Sequence, residues 1–68
     1  MKLKIGKMSS KQVAEWLGIS YGSYKKNIDK YLKKVDMYAN FEKVYGGIIV
    51  KEVFIEEYDK GLVKELDI

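Results

Sequence analysis

Lys25, Lys26, Lys30, Lys33 and Lys34 fall within ten consecutive residues, and Asp29 is the single acid among them. Ammonium groups at that density suit the holding of a polyanion, because each can neutralise one phosphate and release its condensed counterions without reading any sequence. Tyr21, Ser23 and Asn27 stand among them and add a ring, a hydroxyl and an amide. Every one of the thirteen cations is lysine, so the planar fork that arginine offers to paired acceptors is missing. Catalysis has far fewer materials. Histidine and cysteine are absent, which removes thiol chemistry and the usual nitrogen and sulfur ligands of zinc. No glycine motif that cradles phosphate occurs, and no carboxylate sits in a run suggesting a pocket. No catalytic residue, metal, cofactor or small-molecule substrate is expected.

The lysines act together only if a helix carries them. On a helix over about residues 21–35, Gly22, Lys26, Asp29, Lys30 and Lys33 lie opposite Ile28, with Ser23, Asn27 and Lys34 on one margin and Lys25 by the other. A merely solvated lysine face meets the same spacing. A shorter helix precedes it, over about 9–17. Ser9 and Gln12 have the capping-box spacing, and Met8 and Val13 sit where a hydrophobic staple closes. The pattern returns with Ser20 as cap and Ile19 placed to staple to Tyr24. Gly18 follows the apolar end of the first helix and permits the left-handed turn that stops it. Val13, Trp16 and Leu17 make one buried stripe with small Ala14 at its edge, while Lys11, Gln12 and Glu15 point away. Tyr24, Ile28, Tyr31, Leu32 and Val35 make the other. A helical hairpin that only builds a core also satisfies this spacing.

Val13-Ala14-Glu15-Trp16-Leu17-Gly18-Ile19-Ser20, continuing Tyr21-Gly22-Ser23-Tyr24, resembles the helix-turn-helix of bacterial and phage repressors, excisionases and replication-origin binders. That pattern has a small residue, a glycine four positions on and an apolar residue six further, and Ala14, Gly18 and Tyr24 fill those places. Tyr24 is larger than the usual Val or Ile. Gly22 departs from the pattern and weakens the second helix by up to about 1 kcal/mol relative to Ala. The resemblance covers roughly a third of the chain and implies binding of double-stranded DNA, with the second helix in the major groove.

The remaining elements fit around this unit. Met1 to Ile5 alternates as a short half-buried strand does, with Leu3 and Ile5 on one side and Gly6-Lys7-Met8 as the link to the first helix. From Phe41 the period changes to two, and Gly46-Gly47 between β-rich runs signals a hairpin over about 41–55. A turn at the two glycines sets Tyr45 opposite Ile48 and Glu42 opposite Lys51, a pairing of unlike charges. The second hairpin strand is apolar on both faces. Either Ile49, Val53 and Ile55 or Ile48, Val50 and Phe54 face the core. The tail, residues 57–68, forms a helical turn around Leu62, Val63 and Leu66 or frays. The order strand-helix-helix-strand-strand is that of a small α+β winged helix-turn-helix with a three-stranded antiparallel sheet, in one domain over 1–68.

On that resemblance the side chains acquire roles. Tyr21, Ser23, Lys25, Lys26 and Asn27, near the start of the second helix, are the candidates for base edges: lysine donates to guanine, asparagine pairs with adenine and a tyrosine ring touches a thymine methyl. Tyr21 equally suits covering the turn, and Asn27 equally suits a plain surface position. Lys30 and Lys33 extend the basic face. Lys11, Lys43 and Lys51, with Lys2, Lys4 and Lys7, are placed to hold phosphates. The Gly46-Gly47 tip either approaches the DNA backbone or is only a turn.

Sixty-eight residues hide only about 60% of the surface of the unfolded chain, so the core must be compact. The net charge of +3 conceals an asymmetry: residues 1–35 carry nine lysines against Glu15 and Asp29, and residues 36–68 carry four lysines against eight acids. The basic front suits DNA. The acidic back, with Glu52, Glu56, Glu57, Asp59 and Glu65 near Ile55, Leu62 and Leu66, suits a partner protein or a second copy of the chain, so a protein-interaction module is the alternative reading. Single-stranded RNA, held by tyrosines stacking beside lysines, is a further alternative, weakened because most tyrosines fall on core stripes. No apolar run approaches the length of a membrane span. The expectation is a cytoplasmic, non-enzymatic DNA-binding protein in transcription regulation, recombination or replication control of a bacterium, phage or mobile element.

Overall fold

The computed structural model describes residues 2–61. Strand β1 (Gly6–Ser9) leads directly into helix α1 (Ser10–Leu17). Helices α2 (Tyr21–Lys26) and α3 (Ile28–Val35) follow, then strands β2 (Ala39–Val44) and β3 (Gly47–Val53). The sheet is antiparallel throughout, in the order β1-β3-β2, and has the α+β layout of a small winged helix-turn-helix.

The first two helix boundaries follow the local chemistry. At the start of α1, Ser9 N–H donates to Gln12 Oε1 at 2.9 Å and Gln12 N–H donates to Ser9 Oγ at 3.2 Å, a closed capping box. At its end Gly18 has φ 77°, its N–H reaches Glu15 O at 3.0 Å, and Ile19 N–H reaches Ala14 O at 3.0 Å. That pair of bonds is the Schellman stop, with the left-handed residue supplied by glycine. Ser20 then caps α2 by accepting from Ser23 N–H at 3.1 Å. The core joins Val13, Leu17, Tyr24, Tyr31, Val35, Ile48 and Val50, all essentially without solvent contact.

Several expected boundaries move. The strand expected over 1–5 lies at Gly6–Ser9, over the segment read as a link. Met8, opposite Ile48, is the residue that register places over the core, whereas Ile5 is 71% exposed. Leu3 is nevertheless buried, and its N–H donates to Glu56 O at 2.9 Å. The second helix is divided at Asn27, whose φ −135° and ψ 42° leave the helical region. The hairpin turns on Tyr45-Gly46, with Val44 opposite Gly47 and Glu42 opposite Ile49. Glu42 and Lys51 therefore meet diagonally, in an ion pair of 3.6 Å, and not as a directly opposed pair. The tip is shifted because the two glycines do different work. Gly46, at φ 78°, makes the turn, while a Cβ on Gly47 would collide with the carbonyl oxygen of Met8 on β1.

Of the two expected faces of β3, the one with Ile48 and Val50 is buried, but Phe54 does not join it and Val53, from the other set, does. Ile48 and Val50 point inward, then the ladder passes from Phe41 opposite Val50 to Asn40 opposite Glu52 and skips Lys51. This bulge puts Lys51 and Glu52 outside together and returns Val53 to the inner face, half-buried opposite Ala39. Strict alternation would have turned the Glu52 carboxylate into the core. Phe54 and Ile55, beyond the strand, are 54% and 51% exposed. Their N–H groups share one acceptor, Tyr38 O, at 2.7 and 3.0 Å. Tyr38, Trp16 and Tyr58 pack as an aromatic trio with ring centroids 4.9 to 5.4 Å apart, and Trp16 Nε1 donates to Glu56 O at 2.9 Å. Leu62, Val63 and Leu66, on which a helical tail was expected, lie outside the described residues.

Candidate nucleic-acid interface

The tight stop at Gly18 leaves α2 and α3 with one side on the core. Tyr24, Tyr31, Leu32 and Val35 are buried and Ile28 is half-buried, which is the expected stripe, continuous across the break. The Tyr24 and Tyr31 rings, one from each helix, lie 6.1 Å apart at 35°. Burial pushes the Tyr24 phenol above its ordinary pKa. Because the apolar stripe stays on one side, the polar side chains share the other: Tyr21, Ser23, Lys25, Lys26, Asn27, Lys30 and Lys33 are all exposed.

Each is held in a different way. Tyr21 is 41% exposed, and its ring lies 5.3 Å from the Lys25 ammonium, one helical turn on. Such a cation–π contact at an exposed site contributes about 0.5–1 kcal/mol and restrains the lysine. The Ser23 hydroxyl belongs to the cap, accepting from Ser20 Oγ at 2.9 Å. Asn27 uses its backbone twice, donating to Tyr24 O at 3.3 Å and accepting from Tyr31 N–H at 3.1 Å, while its side chain makes no capping bond. Asn27 is exposed, and among the described residues no hydrogen bond engages its side-chain amide. Lys25 and Lys26 end α2, and Lys33 and Lys34 end α3, where each helix dipole favours cations.

No family model, curated protein or solved structure matches the chain. The site is therefore defined by its own geometry, and the remaining expected positions separate. Lys43 opposes buried Ile48, so it lies on the inner side of the hairpin at the rim of the core, and its ammonium reaches Asp29 of α3 at 3.5 Å. The hairpin and the basic helix surface are thereby joined by an exposed ion pair that sequence spacing did not reveal. Fourteen residues separate the partners, and only the ladder register brings them together. Lys11 is exposed in the first turn of α1. The hairpin tip is tied there too, since Ser10 N–H donates to Gly46 O at 2.9 Å. Beside it Tyr45 is 99% exposed. Lys51 is not brought to this surface. It stands on the outer face of the sheet, beside Glu42, with the core between it and the helices.

What the arrangement can do is electrostatic. Lys25, Lys26, Lys30 and Lys33 project from two consecutive helices, and Asp29, the acid among them, is engaged by Lys43. Among the described residues no helix is long and apolar enough to cross a membrane.

Proposed function

We propose that the protein is a winged helix-turn-helix module of repressor, excisionase or origin-binding type that binds double-stranded DNA in the major groove and acts by occupancy, without catalysis. The observation that carries this reading is the exposed lysine surface of α2 and α3, set directly after a Schellman-stopped helix and interrupted by an exposed asparagine. Lys25, Lys26, Lys30, Lys33 and Lys11 supply phosphate contacts, and Lys43 sits where a sixth would arise. Asn27 and Tyr21 are the residues with chemistry for base edges. A cytoplasmic role in transcription, recombination or replication control is the setting this activity fits.

Titration of a labelled duplex at several salt concentrations tests the proposal. With about five phosphates neutralised, log K falls against log salt with a slope near −4.5, and Lys26→Ala with Lys30→Ala brings that slope to about −2.7. Helical content is unchanged in this variant because both side chains are exposed. Absence of binding at low salt, a flat salt response, or undiminished binding by the double variant refutes the assignment. A protein-interaction module is the second reading, and it is favoured by Phe54 and Ile55, exposed beside Glu56 and Glu57.

A further inference from the structure

Residues 2–6 and 50–56 run side by side in opposite directions, tied at Gly6 opposite Val50 and again where Leu3 N–H donates to Glu56 O at 2.9 Å. Between those ties each segment exposes apolar side chains: Ile5 at 71% on one, Phe54 and Ile55 at 54% and 51% on the other. The exposure is built in, because Tyr38 O takes the N–H groups of both Phe54 and Ile55 and fixes the bend that turns them outward. Scattered single apolar residues on a surface mean little, but three on adjacent segments mark a place where something packs.

The two segments carry opposite charge. Beside Ile5 opens a cleft of about 400 Å³, where Lys2, Lys4, Lys7 and Gln12 line it together with Ile5, Gly6 and Met8. Lys2 leans on Glu56 at 3.6 Å, and among the described residues no carboxylate pairs with Lys4 or Lys7. The other segment continues from Phe54 and Ile55 into Glu56 and Glu57. One segment thus borders a lysine-lined cleft of mixed polar and apolar lining, and the other is an apolar projection followed by carboxylates. Lying side by side, they complement each other across molecules better than within one. A two-fold axis passing between them sets the projection of each copy against the cleft of the other, a self-complementary contact that closes at two subunits.

We infer that the partner of this surface is a second copy of the chain, with Phe54 and Ile55 of each protomer entering the partner's lysine-lined cleft and Glu57 meeting Lys4 and Lys7. This inference involves no nucleic acid and stands or falls apart from the DNA reading. Sedimentation equilibrium on the 68-residue chain without DNA tests it. The mass rises with concentration toward twice 7.9 kDa. Phe54→Ser with Ile55→Ser, and separately Lys4→Glu with Lys7→Glu, hold it at the monomer value with unchanged circular dichroism. Glu57→Lys alone weakens the dimer, and mixing it with the Lys4→Glu, Lys7→Glu variant restores a dimer, since both contacts then pair opposite charges. A wild-type mass that stays at 7.9 kDa, a dimer that these variants leave intact, or a mixture that fails to recover overturns the inference.

Discussion

Replacing Gly47 by alanine tests the hairpin register more severely than any other single change. A Cβ at that position would overlap the Met8 carbonyl oxygen and stand 2.9 Å from Ser9 Cα and 3.0 Å from Met8 C, all of them backbone atoms. No flexible side chain can yield, so β1 must move away from β3. That movement loosens the pairs at Met8 and Ser9, partly uncovers Met8, and pulls on the Ser10 to Gly46 hydrogen bond. Overpacking against a fixed neighbour costs about 1–3 kcal/mol, and the upper end applies where the neighbour is backbone. Partial loss of the buried Met8 side chain keeps the total near about 3 kcal/mol or above. A domain of this size loses about 4–8 °C of melting temperature per kcal/mol, so Gly47→Ala melts about 12–24 °C lower. Since a core below 70 residues seldom supplies more than about 3–5 kcal/mol, much of the variant is unfolded at 37 °C. Gly46→Asn is the control. Gly46 has φ 78° and nothing within 4 Å of its would-be Cβ, and asparagine tolerates that backbone, so the cost stays below about 1 kcal/mol. Thermal melts followed by circular dichroism separate the two. Equal melting temperatures would mean that both glycines only turn the chain, and the β1–β3 register would be wrong.

Three further outcomes follow from particular contacts. Trp16→Phe removes the donor to Glu56 O but leaves that oxygen the Leu3 N–H, so the loss is about 1 kcal/mol for the hydrogen bond and about as much again for trimmed ring contacts; an unchanged urea midpoint would show that Trp16 does not anchor residues 54–58. The Tyr24 phenol is raised by burial, so the folded state keeps its proton where the unfolded chain loses it: stability is fully present below about pH 10, falls above it, and falls less steeply in Tyr24→Phe, as alkaline titration of unfolding shows. Asp29→Ala frees Lys43 from an exposed pair, leaving stability nearly unchanged while nonspecific duplex affinity rises and the salt slope steepens by about 0.9; weaker binding instead would make Asp29 itself a DNA contact.

The local devices in residues 9–35 were legible because each is written in a few neighbouring residues. The Ser9–Gln12 box, the Gly18 stop, the Ser20 cap and the buried stripe from Tyr24 to Val35 all depend on side chains within a turn or two. What escaped depends on residues far apart. The alternation of Leu3 and Ile5 is a fair strand signal, yet the β3 register chooses Met8 as the core residue of β1. Two adjacent glycines read as one turn, because the crossing of β1 over Gly47 comes from a segment nearly forty residues earlier. The bulge at Lys51-Glu52 likewise left no local mark, and only burial of both Val50 and Val53 requires it. In the site, the exposure of Lys26, Lys30 and Lys33 follows from the stripe, whereas the Asp29–Lys43 bridge and the banishment of Lys51 to the outer sheet face follow from the ladder.

On the proposed DNA reading, the break at Asn27 changes what the basic surface offers to a base. A continuous helix would carry Asn27 as one more lateral side chain beside a line of lysines. Asparagine is a weak helix former because its amide competes with the backbone, and here the backbone turns aside at that residue while the Asn27 carbonyl still accepts from Tyr31 N–H, so helical bonding resumes at once. The buried stripe holds both segments to the core, and the lysines stay on the outward side. Asn27 then stands at the junction of two short helices with its side chain uncommitted, flanked by Lys26 and Lys30. Six residues of α2 would not remain helical alone; the Ser20 cap, the buried Tyr24 ring and the Tyr21–Lys25 contact keep them so. On that reading, cations suited to phosphate bracket one amide suited to a base, and the rigidity of the arrangement rests on the Ser20 cap and the buried Tyr24 ring.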